Sequence, residues 1–283
     1  MEVRVAKSAG FCFGVTKAVE LLDREIHNNK DNNSIYTWGP IIHNKEVIRS
    51  YEEQGVRVFN NEDELAESGK GTVVIRAHGV APEIYEALEK AGLRVVDGTC
   101  PFVKRIHRIV SEEVKAGRFV VIVGNPDHPE VKGIQGWCRG QSAVVRTPKE
   151  FCSLIKSVKT GISVVAQTTF NSKKFKEFVE IAEDIEYDIF VHNTICNATH
   201  IRQEEAGNMA AENDVMLVIG DASSSNTQKL YEICKAKNSN THHIETSADI
   251  DNSWFNQVQR LGITAGASTP NNIIMEVQNK CRN

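Results

Sequence analysis

Three of the seven cysteines share a setting. Cys12 lies in "VRVAKSAGFCFGVTKAVELL", Cys100 in "LRVVDGTCPFVKRIHRIV" and Cys196 in "YDIFVHNTICNATHIRQEEA". Each follows a strand-like run and a short turn, and each sits where a helix-like pattern begins. Pro101, directly after Cys100, suits a first helical position. A helix N-terminus carries partial positive charge and unpaired N–H groups. It therefore favours the thiolate form of a cysteine placed there, and thiolates bind metals where thiols do not. One such sulfur from each of three stretches makes a trigonal set of soft ligands, suited to zinc or to an iron–sulfur cluster. Structural zinc normally draws its ligands from close pairs such as CxxC, and the sequence has no CxxC pair. Three widely spaced cysteines better fit a [4Fe–4S] cluster with three irons held and the fourth open to substrate. Cys138, Cys152, Cys234 and Cys281 lack this setting and read as ordinary buried thiols.

Polar residues recur at matched places. "SIYTWGPIIHNKEVI", "RFVVIVGNPDHPEVKGI" and "DVMLVIGDASSSNTQKL" each run strand, Gly-containing turn, polar cluster, helix. They place His43 and Asn44, then His128 and Glu130, then Ser224, Ser225 and Asn226 ahead of a helix. "GTVVIRAHGVAPEIYEAL", "GISVVAQTTFNSKKFKEF" and "RLGITAGASTPNNIIMEV" place His78, Thr168 with Thr169, and Ser268 just past a strand. Histidines, hydroxyls and an amide beside helix N-termini suit a diphosphate or another acceptor-rich anion. Neither a Walker-type loop nor a GxGxxG fingerprint is present, so electrons are expected from a partner protein rather than a bound nucleotide. Glu130 is the one carboxylate in the set; beside a buried metal centre and an anion its pKa would rise towards neutrality, making it a proton donor.

The elements that must hold these residues repeat. Cys12 and Cys100 are 88 residues apart and Cys100 and Cys196 are 96 apart; the histidine and hydroxyl markers keep similar intervals. A period of roughly 90 residues matches a small α/β domain. Alternating strands and helices imply parallel sheets, with ligands beyond the carboxyl ends of the strands. The expected fold class is α/β: three similar small α/β domains with mostly parallel sheets around a pseudo-threefold axis and a central cluster. The expected units are 14–99, 100–194 and 195–283, the last completed by the N-terminal strand 1–13. In the third unit the helix after Cys196 is weakly patterned, with Ile201 and Met209 as its main apolar points.

Composition sets bounds. The 283 residues are 41% hydrophobic and 25% charged, ordinary for a globular chain with an ample core. A net charge of −4 with no basic stripe argues against nucleic acid. The N-terminal stretch lacks a signal-peptide pattern and no run reaches transmembrane length, so a cytoplasmic location and no membrane partner are expected.

The stretches "GFCFGV", "IIHNKEV", "AHGV", "DGTCPFV", "HPEVKG", "QTT", "SSSN" and "AGAST" run in order from residue 10 to residue 269. Together they resemble the family of 4-hydroxy-3-methylbut-2-enyl diphosphate reductases, the last enzymes of the non-mevalonate isoprenoid pathway. The resemblance implies a [4Fe–4S] cluster on Cys12, Cys100 and Cys196. It implies substrate contacts from His43, His78, His128, Thr168, Ser224, Ser225, Asn226 and Ser268. It further implies Glu130 as proton donor, with His128 and Thr168 beside it in catalysis, and Thr169 next to these. The implied reaction is reductive dehydroxylation of the allylic alcohol diphosphate to isopentenyl and dimethylallyl diphosphates, with two electrons from a ferredoxin- or flavodoxin-type donor. The chain departs from the family in the Asn-Pro-Asp that precedes His128 and in stopping soon after the third unit. On the residues alone two rivals stay open: a [4Fe–4S] hydro-lyase or isomerase acting on a phosphorylated small molecule, and a zinc-stabilised scaffold.

Overall fold

The computed structural model describes residues 1–29, 33–68 and 70–282. In chain order the elements are β1 (Glu2–Val5), α1 (Phe13–His27), β2 (Ser34–Trp38), α2 (Lys45–Glu53), β3 (Arg57–Phe59), β4 (Gly71–Ile75), α3 (Pro82–Lys90), β5 (Arg94–Asp97) and α4 (Pro101–Lys115). There follow β6 (Phe119–Val123), α5 (Pro129–Trp137), β7 (Ser142–Val145), α6 (Pro148–Ile155), β8 (Ile162–Ala166), α7 (Ser172–Asp184) and β9 (Ile189–Val191). The chain closes with α8 (Asn197–Glu212), β10 (Val215–Ile219), α9 (Ser225–Lys237), β11 (Thr241–Ile244), β12 (Arg260–Ala265) and α10 (Asn271–Arg282). The alternation of strand and helix read from the sequence is present, and the fold is α/β.

The strands form three four-stranded sheets in the orders β3-β2-β4-β5, β7-β6-β8-β9 and β1-β12-β10-β11. All their pairings are parallel. In the last sheet the edge next to β12 is filled by β1, with Val3 opposite Leu261 and Val5 opposite Ile263.

The chain divides into two compact units, one of residues 1–15, 43–47 and 196–283, the other of residues 16–42 and 48–195. The second unit holds two sheets. In β6, alternate residues face opposite ways: Val121 and Val123 pack with Phe151, Phe175 and Phe178 of α6 and α7. Val120 and Ile122 pack with Ile106 and Val110 of α4 and Val131 and Ile134 of α5. This period of two across a sheet covered on both faces explains why the strand reads as a continuous apolar run. In the other sheet, Tyr36, Trp38, Val73 and Ile75 share a core with Leu88 of α3.

The first unit repeats the arrangement. Val215, Leu217 and Ile219 of β10 pack with Ile273, Ile274 and Val277 of α10. Met216 and Val218 face Ala206 and Ala210 of α8 and Leu230 and Cys234 of α9. Helix α8 does not bury the apolar face expected of it: Ile201 is 48% exposed. The buried face carries Thr199, Arg202, Gln203, Ala206, Gly207 and Ala210 instead. Small residues let α8 and α9 approach closely, so the burial signal is smallness and polarity rather than hydrophobic periodicity. Among the described residues no helix is long and apolar enough to cross a membrane.

Candidate active site

The candidate ligands and substrate contacts come after the carboxyl ends of strands. Cys12 follows β1, His43 β2, His78 β4, Cys100 β5, His128 β6, Thr168 β8, Cys196 β9, Ser224 β10 and Ser268 β12. In parallel sheets these ends lead into helix N-termini, where unpaired N–H groups and the helix dipole attract anions. Cys100 is the N-cap of α4, with Pro101 at the first helical position, and Cys196 is the N-cap of α8. Neither side chain caps its helix, so neither sulfur is committed to the role that serine or aspartate would take there.

In the unit of residues 16–42 and 48–195 a chain of contacts runs through five of the candidates. The Cys100 N–H donates to the Ala77 carbonyl at 3.0 Å, which seats Cys100 beside His78. The His78 and His128 rings meet edge to face with centroids 5.3 Å apart. His128 caps α5: its Nδ1 accepts the Glu130 N–H at 3.1 Å. Because Nδ1 accepts, the neutral ring carries its proton on Nε2, which is then a donor.

Glu130 is 2% exposed. Its Oε1 accepts the Thr168 N–H at 2.6 Å and its Oε2 accepts the Thr168 hydroxyl at 2.7 Å. Burial pushes the carboxyl up to about 7, against the opposing pull of the two Thr168 bonds. Desolvation wins because it disfavours the anion more than two hydrogen bonds favour it. Near neutral pH the group is therefore split between acid and base.

Neighbours fix this arrangement. Gln167 Oε1 accepts the Asn125 N–H at 3.1 Å and its Nε2 donates to Thr169 Oγ1 at 3.0 Å, tying the turn after β6 to the turn after β8. Gly79, next to His78, has φ +70°. A Cβ there would lie 2.7 Å from His107 Cε1 and 2.9 Å from Thr99 Cγ2, so only glycine fits. His107 itself is buried and stacked on Trp137, with centroids 5.3 Å apart, and burial pushes it down to about 4.

In the unit of residues 1–15, 43–47 and 196–283 the other candidates gather. The Cys12 N–H donates to the Ala267 carbonyl at 3.2 Å, placing Cys12 beside Ser268. Asn44 Oδ1 accepts the Val47 N–H at 3.0 Å at the start of α2, next to His43. His43 Nδ1 lies 3.5 Å from Ser223 Oγ. Ser224 caps α9, accepting the Thr227 N–H at 3.4 Å, and Ser225 is the first residue of that helix. Asn226 is 4% exposed. Neither its amide oxygen nor its amide nitrogen, nor Ser268 Oγ, has a hydrogen-bond partner among the described residues. Leaving such a buried group unmet costs about 1–3 kcal/mol, which a ligand with acceptor oxygens and a donor would offset.

Sequence reading missed Gln167, Ser223 and Arg202. Gln167 and Ser223 open the quoted stretches "QTT" and "SSSN", so membership of a motif was their only signal. Arg202 had none, since its partners lie in a distant stretch of the chain.

The chain matches the LytB protein family over residues 3–282. It belongs to that family. The 4-hydroxy-3-methylbut-2-enyl diphosphate reductase of Aquifex aeolicus is 45% identical over 99% of this chain and 96% of its own length. The protein of the same description from Clostridioides difficile is 41% identical over 98% of both chains. Among solved structures, an (E)-4-hydroxy-3-methyl-but-2-enyl diphosphate reductase, described as the terminal enzyme of the non-mevalonate pathway, aligns with TM-score 0.71 and 43% identity over 100% of this chain and 99% of that one. The Plasmodium falciparum E-1-hydroxy-2-methyl-but-2-enyl-4-diphosphate reductase aligns with TM-score 0.90 and 25% identity over 99% of this chain and 88% of that one. The LytB-family chain thus carries its candidate residues on strand ends of a fold shared with reductases of an allylic diphosphate.

Proposed function

We propose that this LytB-family chain reduces 4-hydroxy-3-methylbut-2-enyl diphosphate to isopentenyl and dimethylallyl diphosphates, removing the hydroxyl as water. The reaction consumes two electrons and two protons: a C–O bond breaks and a C–H bond forms at one or other end of the allyl system. The observation that carries this reading is the Glu130–Thr168 pair, a buried carboxyl raised to about 7 and bonded at both oxygens to one threonine.

Cys12, Cys100 and Cys196 fit a [4Fe–4S] cluster by the softness of their sulfurs and by their place ahead of α1, α4 and α8. When bound, such a cluster supplies the electrons and an electrophilic iron for the substrate hydroxyl. A ferredoxin- or flavodoxin-type protein is the proposed electron donor, because the sequence carries no nucleotide-binding fingerprint.

The remaining work falls to the chain's own side chains. His43, His78, His128, Ser224, Ser225, Asn226 and Ser268 are the proposed substrate-binding set, with Asn226 and Ser268 gaining the partners they lack. Burial keeps water from Glu130 and holds its proton near neutrality. When Glu130 is protonated, its bond to Thr168 Oγ1 reverses: the carboxylic acid donates and the hydroxyl passes its own proton on. Thr168 is thereby the proposed relay between the acid and the substrate hydroxyl. Fixing the diphosphate at the helix ends orients the hydroxyl for this transfer.

The test is an anaerobic assay of the protein with a reduced viologen as electron source, following both products. Product formation that stops without reductant is the expected result. Turnover without reductant would point to a hydro-lyase or isomerase, and a colourless zinc protein to a scaffold; either overturns the proposal.

A further inference from the structure

One helix holds the Cys12 loop from two positions. Helix α8 starts directly after Cys196. From its second turn Arg202 reaches back to the loop after β1: its Nε donates to the Ser8 carbonyl at 2.6 Å, and its Nη2 donates to the Gly10 carbonyl. Three residues on, Glu205 accepts the N–H groups of Lys7 and Ser8 at 2.8 and 2.9 Å, and the Ser8 hydroxyl as well. A guanidinium thus takes the carbonyls, and a carboxylate the amides, of the same short loop. Gly10 completes its shape with φ +97°, and a Cβ there would lie 3.2 Å from Ile274 Cδ1.

Arg202 is 4% exposed. A buried guanidinium needs countercharge and acceptors, since an uncompensated ion in a low-dielectric interior is costly. Its guanidinium hydrogen-bonds the Cys12 sulfur, and the Cys196 sulfur and the Glu205 carboxylate lie within range of its charge. The guanidinium therefore faces both sulfurs while gripping the backbone that carries one of them.

We propose that Arg202 is a positioning residue for the metal-binding sulfurs: it locks the Cys12 loop to the helix that begins at Cys196, and it sets a fixed positive charge against both. This rests on the reading that these cysteines hold an iron–sulfur cluster. The iron and sulfide content of the wild-type protein tests that reading separately.

The two parts of the role separate by substitution. Arg202→Gln keeps hydrogen-bond donors and removes the charge. Arg202→Lys keeps the charge and loses the planar fork that spans two carbonyls. A nearby positive charge favours the reduced, more negative state of a cluster, so its removal shifts the equilibrium towards the oxidised state. The expected shift for Arg202→Gln is about tenfold, a midpoint potential ~59 mV more negative for a one-electron couple. Arg202→Lys should keep the wild-type potential but surrender iron to a chelator at least about fivefold faster, as the loop loosens.

Both quantities are read anaerobically on the cluster-loaded proteins, by potentiometric titration followed by electron paramagnetic resonance and by the rate of iron release. A wild-type potential in Arg202→Gln overturns the charge role. Wild-type iron release in Arg202→Lys overturns the positioning role, and it decides that role even where Arg202→Gln fails to take up a cluster. Wild-type protein without iron and sulfide would instead reject the cluster reading on which both depend.

Discussion

Replacing Glu130 by glutamine tests the proton-donor role with little change of shape. The amide oxygen can still accept the Thr168 N–H, and the amide nitrogen can donate to Thr168 Oγ1, so both contacts of the carboxyl have a counterpart. What is lost is the proton. Positioned acid catalysis is worth about 10²–10⁴ in rate, so turnover should fall by that factor with the iron content unchanged. The same group leaves a second trace in stability. Its pKa rises from 4.5 to about 7, which at about 1.4 kcal/mol per unit amounts to about 3 kcal/mol. Because the folded value lies above the unfolded one, this stabilisation is whole below pH 4.5 and is lost as pH rises to about 7. Wild-type stability should therefore decline across that window, and the glutamine variant should lack this part of the decline. The assay pairs a turnover–pH profile with melting curves at matched pH values for both proteins. A variant retaining more than about a tenth of wild-type turnover, with the same alkaline limb and the same stability slope, would show that Glu130 is not the proton donor.

Three further outcomes follow from individual contacts. Thr168→Val removes the hydroxyl bond that holds the Glu130 pKa down while keeping the backbone bond; turnover should drop at least about tenfold and the alkaline limb of its pH profile should move to higher pH. Gly79→Ala forces a Cβ to within 2.7 Å of His107 and onto a backbone with φ +70°; a loss of about 2 kcal/mol or more is expected, read as a lowered Tm. Asn226→Ala removes two buried amide atoms that have no partner among the described residues; KM should rise about tenfold while Tm stays level or rises, the signature of a group kept for a ligand rather than for the fold.

The local parts of the structure were readable because their signals are local. β6, β8, β10 and the helices after them announce themselves as apolar runs followed by helical spacing, since both faces of their sheets are covered. Helix α8 defeated that logic: its buried face is made of Thr199, Arg202, Gln203 and small residues, so periodicity pointed to Ile201, which lies half in solvent. At the candidate site, His128, Glu130 and the cysteines were recognisable from turn-plus-helix context. The bond from Thr168 to Glu130 spans 38 residues and required the fold to bring β8 beside β6. Arg202 was invisible because its partners Ser8 and Gly10 stand 194 and 192 residues away. Unlike these, Cys138 and Cys234 behave as the sequence suggests for core thiols: they are buried, donate to the carbonyls of Ile134 and Ala206, and are pushed up to about 11 and about 12 by desolvation.

The proposed chemistry requires Cys12, Cys100 and Cys196 to hold one inorganic centre. Iron and acid-labile sulfide, measured on anaerobically prepared protein together with its Mössbauer spectrum, test for that centre. A [4Fe–4S] cluster is expected in the wild-type chain and in Cys152→Ala, with its loss in each of Cys12→Ala, Cys100→Ala and Cys196→Ala. A full cluster surviving any one of those three substitutions, or a wild-type chain that binds zinc and no sulfide, would rule that centre out.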